Sequence, residues 1–173
     1  MSPAPADLVN AVELAGRAAT LERHLQLAQL PRLAEAGALG GTQVRAQLEF
    51  GRFDGRTTIV VGVEGEVFLV CQRCLRPCAC EVDESASLAV VARDTDEVPG
   101  GYEPLLGDAE QLSLAEVIEE QVLLGLPLVP MHDTAADCGA VATALDAAED
   151  EPAVDETQRP FANLRELLEK GKS

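Results

Sequence analysis

Four cysteines fall within ten residues, in the run VCQRCLRPCAC, and a fifth stands alone at Cys138. Cys71-x-x-Cys74 has the spacing at which two thiolates converge on one ion, as in a zinc knuckle. A closed tetrahedral site needs two further ligands. The best later candidates are His132 and Cys138, spaced H-x5-C in a loop stiffened by Pro130, with Cys78 and Cys80 as alternatives. Cys71, Cys74, His132 and Cys138 would together make a Cys3His zinc site tying the cysteine-rich stretch to a segment nearly sixty residues later. Such a site requires deprotonated thiols and adds its binding energy to folding.

Two other uses of the thiols compete with zinc. A thioredoxin-like couple at Cys71 and Cys74 wants its first cysteine at a helix N-terminus, where the dipole favours the thiolate. Arg73 and Arg76 could stabilise a thiolate, but Arg76-Pro77 follows and no helical pattern does. Alternatively, the cysteines pack reduced, as small apolar side chains. The odd total argues against a disulfide framework. His24 reads as a strand residue on a polar face. His132-Asp133 could serve acid–base chemistry, yet no serine-nucleophile motif, HExxH or phosphate-cradling glycine loop completes a catalytic set. Glu119 and Glu120 diverge by about 100° around a helix and read as solvated. The expectation is a protein that is not an enzyme.

The 173 residues fit one domain plus a tail, with 47% hydrophobic and 25% charged residues. Aromatics are 3% and Trp is absent, so the core is aliphatic and a base-stacking platform is not expected. No apolar run is long enough to span a membrane and no secretory leader is visible, which gives the expectation of a soluble cytoplasmic protein. The net charge of −17 is unevenly placed: residues 1–80 balance eight basic side chains against eight acids, and residues 81–173 set five against twenty-two. An acidic half repels phosphate backbones and suits a basic protein partner. The acids also serve solubility.

The elements that must position the cysteines are mostly β. Residues 6–18 have helix-forming composition, 20–27 alternate as a strand, and 31–38 read as a short helix opened by Pro31. VRAQLEF (44–50) and TTIVVGV (57–63) flank Asp54-Gly55, a strong hairpin signal. Glu64-Gly65 reads as a second break before a strand at 66–71, and 85–92 as one more. Residues 93–110 read as a loop. Ser113 and Glu116 form a capping box that opens a helix ended by Pro127. The fold expected is α+β: an antiparallel meander of four to five strands packed with one main helix, plus short N- and C-terminal helices. The domain spans 1–139. Residues 140–160 are read as an acidic flexible linker and 161–173 as an amphipathic segment with Phe161, Leu164, Leu167 and Leu168 on one stripe.

The order of these motifs resembles the YceD family, the large ribosomal RNA subunit accumulation proteins of bacteria and plastids. CQRC (71–74) ends a meander and an acidic loop follows. Then come EEQVLLGLPLVPMHD (119–133), Cys138, an acidic linker and Pro160-Phe161-Ala162-x-Leu164. The resemblance implies a non-enzymatic factor supporting synthesis, processing or accumulation of the 23S ribosomal RNA. The family's cysteine pair falls on Cys71 and Cys74, and its second patch on Pro127, Pro130, His132, Asp133 and Cys138. Some relatives carry more cysteines in that later stretch. The partner implied is a large-subunit ribosomal protein or a precursor particle, with Arg45, Arg52, Arg56, Arg73 and Arg76 as candidates for local RNA contact. A zinc-stabilised adaptor for an unrelated basic protein and a CxxC thiol oxidoreductase are the alternatives.

Overall fold

The structure is a computed structural model and describes residues 8–93 and 96–139. The linker at 140–160, the segment at 161–173 and Phe161 lie outside the described residues. The elements run β1 (Leu8–Val9), α1 (Ala11–Gly16), β2 (Thr20–Gln26), α2 (Pro31–Glu35), β3 (Gln43–Phe53), β4 (Arg56–Val70), β5 (Pro77–Val91), β6 (Glu103–Leu106), β7 (Leu112–Ser113) and α3 (Leu114–Gly125). This is the expected α+β fold. A five-stranded sheet in the order β2-β3-β4-β5-β6 is built on an antiparallel meander of its first four strands. A two-stranded pair, β1 with β7, sits beside the entry to α3.

Alternation decides the layers. Val44, Ala46, Leu48 and Phe50 of β3 share one buried face with Ile59, Val61, Val63, Val67 and Leu69 of β4 and with Cys78, Cys80, Val82 and Leu88 of β5. Onto it pack Leu14 of α1 and the stripe Leu114, Val117, Ile118 and Val122 of α3. The other face is open around Glu64, Glu66, Glu81 and Asp83, whereas Thr58, Ala89 and Val91 on that same face are buried. Asp54 and Gly55 both take positive φ, 49° and 76°, as the two-residue hairpin turn between β3 and β4 requires. Ser113 caps α3 by accepting from the Glu116 amide at 3.4 Å, and Asn10 caps α1 through the Glu13 amide at 2.9 Å.

Four expectations are corrected. Glu64-Gly65 does not break the chain: β4 is one strand of 15 residues. Gly65 is there because β3 lies close against it; a Cβ would collide with the carbonyl oxygen of Gln43. The cysteine-rich stretch from Pro77 is the first half of β5. The 93–110 loop contains β6, which pairs parallel to β5 at the sheet edge, where Pro104 is tolerated. Finally, Glu119 is not solvated: it is 2% exposed, and its Oε1 accepts from the Leu33 amide at 2.9 Å. It thereby satisfies a first-turn amide of α2 that has no partner within that helix. Glu120 pairs with Arg32.

Candidate metal centre

Cys71 follows the last residue of β4, and the chain turns through 71–76 before entering β5. The turn is closed by the Cys71 amide donating to the Arg76 carbonyl and the Leu75 amide donating to the Cys71 carbonyl, each at 2.9 Å. Leu75 takes φ 59° to make it possible. The facing wall is the chain after α3. Pro127 ends the helix and stays exposed, while the half-buried Pro130 accepts from the Gln72 amide at 2.9 Å. Beyond it, Thr134 and Asp137 cap one another through their side chains and amides, and the short 3-10 turn Ala136–Cys138 buries Cys138. Two segments far apart in the chain are thus held side by side.

Between them the ligand atoms of Cys71, Cys74, His132 and Cys138 all lie within 4.8 Å of one another. The Sγ atoms of Cys71 and Cys138 are 3.8 Å apart. The Nδ1 of His132 is 3.5 Å from the Sγ of Cys74 and 3.5 Å from that of Cys138. A tetrahedral zinc ion with Zn–S bonds of about 2.3 Å and a Zn–N bond of about 2.0 Å has edges of about 3.8 Å (S to S) and about 3.5 Å (S to N). The donor set and its spacing fit that ion.

The thiols are electrostatically distinct. Burial would push Cys71 up, but the backbone N–H groups of Cys74, His132 and Arg73, with the His132 side chain, bring it down to about 5. Amide donors converging on a sulfur favour the thiolate that a metal needs. Burial, followed by its contacts with Cys74 and Cys71, raises Cys138, and Arg73 partly offsets this from 3.9 Å. Cys78 is pushed up to about 11 by burial and by Cys80, and burial raises Cys80 too. They lie on β5 facing the core, outside the cluster of Cys71, Cys74, His132 and Cys138.

The other candidates fall elsewhere. The His132 imidazole turns Nδ1 toward the two sulfurs, and Asp133 is exposed beside it. The five arginines do not form one surface. Arg45 lies mid-sheet, engaged by Glu22 and Glu64. Arg52 and Arg56 flank the β3–β4 turn, and Arg73 and Arg76 sit past the far end of β4, about 45 Å away along the strand. Arg76 donates to the Asp137 carbonyl at 2.6 Å and Arg73 rests against the sulfur of Met131 at 3.8 Å, so both brace the centre. Sequence reasoning passed over that bracing role and the Gln72–Pro130 bond, which has no side-chain signature.

Among the described residues, no helix is long and apolar enough to cross a membrane. Residues 60–168 match the family model described as Large ribosomal RNA subunit accumulation protein YceD. The chain is similar to the Large ribosomal RNA subunit accumulation protein YceD of Haemophilus influenzae, at 31% identity over 110 residues. That alignment covers 61% of this chain and 63% of the relative, so the chain spans under two thirds of the length of the relative it matches. No solved structure matches. With more than half of its length matched by the family model, and with the match running through both walls of the cysteine–histidine centre, the chain belongs to the YceD family.

Proposed function

We propose that this protein is a non-enzymatic factor that supports accumulation of the large-subunit (23S) ribosomal RNA in the cytoplasm. It does so with one zinc ion held by Cys71, Cys74, His132 and Cys138, and acts through a protein partner: a large-subunit ribosomal protein or a precursor particle. The observation that carries the reading is the convergence of three thiols and an imidazole at zinc-ligand spacing inside the region matched by the family. When bound, the ion supplies a rigid tie between the β4–β5 connection and the chain after α3. Cys71 enters as the thiolate its amide donors favour, and Cys74, His132 and Cys138 close the tetrahedron.

Three features support a protein partner over the phosphate backbone. The net charge is −17, the arginines are dispersed, and the open face of the sheet opposes Glu64 to Asp83 and Glu66 to Glu81 across β4 and β5. Counterion release on nucleic acid needs clustered cations, and none of these surfaces offers them. A thiol couple is disfavoured because Cys71 follows a strand rather than opening a helix, and because a third thiol and an imidazole crowd the pair.

The test is depletion in the native host followed by complementation. The ratio of large- to small-subunit ribosomal RNA is expected to fall on depletion. The wild-type chain and Cys78→Ser are expected to restore it, and Cys71→Ser or Cys138→Ser to fail. An unchanged ratio on depletion would overturn the proposal.

A further inference from the structure

Five of the nine large apolar side chains exposed among the described residues belong to one neighbourhood: Leu75, Leu124, Leu128, Val129 and Met131. Leu75 is 74% exposed at the tip of the cysteine turn, held outward by a left-handed backbone that leucine rarely adopts. The Gln72–Pro130 bond and the contact of Arg73 with Met131 set this turn alongside the 128–131 strip. Arg73 borders the strip at Met131, Arg76 follows Leu75 in the same turn, and neither has a carboxylate partner among the described residues. An apolar strip flanked by cations with no carboxylate partner among the described residues is the surface a partly acidic amphipathic segment fits.

We propose that the strip is covered by residues 161–168 of the same chain, through Phe161, Leu164, Leu167 and Leu168. Four observations select this occupant. The described chain ends at Gly139, where a Cβ would stand 3.4 Å from the Arg76 side chain, one residue along the turn from Leu75. The 21 intervening residues (140–160), at up to about 3.4 Å each, are long enough for 161–168 to reach the strip. They also carry Asp146, Glu149, Asp150, Glu151, Asp155 and Glu156 against the single cation Arg159, complementing Arg73 and Arg76. The family match, running from 60 to 168, takes in both the strip and the stripe. The inference needs the folded turn but does not rest on the RNA reading; any partner that used the strip would have to displace the segment.

The test uses the purified full chain with Leu128 replaced by the photoreactive residue p-benzoylphenylalanine; Leu128 is fully exposed, so the fold tolerates the change. Light- and heavy-isotope protein are mixed before irradiation, and the cross-links are mapped by mass spectrometry. The expected result is same-isotope cross-links to 161–168, at about tenfold the yield from the same probe at exposed Leu106. Substituting Phe161→Ser, Leu164→Ser and Leu168→Ser together should bring the yield down to the Leu106 level. No cross-link to 161–168, mixed-isotope products that place the segment on another copy, or a yield indifferent to the triple substitution would overturn the proposal.

Discussion

At Cys71, burial and hydrogen bonding pull in opposite directions, and the hydrogen bonds win. A thiol with no exposed surface would ordinarily stay protonated, yet the amides of Cys74, His132 and Arg73 bring it to about 5. On the neighbouring strand Cys78 lacks such donors and rises to about 11. Within one cysteine-rich run, the local backbone therefore separates candidate ligands from packing residues, a distinction that spacing alone left open. Glu119 makes the same point about carboxylates. Its angle on the helix suggested solvent, but its partner, the Leu33 amide, comes from a segment 86 residues earlier. Glu119→Ala is expected to cost about 1–3 kcal/mol, because it strands a buried amide. Urea unfolding should show a lower midpoint with an unchanged slope. Glu119→Gln keeps an acceptor oxygen and should retain most of the stability; equal losses for both variants would show that the hydrogen bond does not matter.

At the scale of elements, what could be read in the chain was what short-range chemistry dictates. Asp54-Gly55 gave the β3–β4 hairpin, the alternation of 44–50 gave the buried face, and Ser113 gave the start of α3. The missed features depend on neighbours. Gly65 resembles a turn residue in isolation, yet it serves the close approach of β3 in the middle of β4. Pro104 hides β6, since an edge strand can spare an amide and a central one cannot. Gly65→Ala should destabilise by about 1–3 kcal/mol, because the clash is with backbone that cannot swing aside. Gly62→Ala, on the same strand with open space around its Cα, should change little. Thermal melts of the two variants check this. Similar melting temperatures would mean that the strands adjust freely.

At the scale of the molecule, the sheet lays Cys71 at the end of its longest hairpin, and α3 returns the chain so that Cys138, 67 residues later, arrives 3.8 Å away. The pairing of Cys71 and Cys74 with His132 and Cys138 was legible because the donor types are scarce in this sequence, with five cysteines and two histidines in all. The dispersal of the arginines was not legible, because the strand lengths set it. An ion at this centre would bind two segments that otherwise meet mainly through the Gln72–Pro130 bond and the braces from Arg73 and Arg76, so its removal should loosen both together. The most direct measurement is native mass spectrometry of the purified full chain supplied with zinc. The expected result is one zinc ion per chain, retained in Cys78→Ser and lost in Cys138→Ser. A folded wild-type chain that takes up no zinc, or a Cys138→Ser variant that holds it as tightly, would contradict the four-ligand centre.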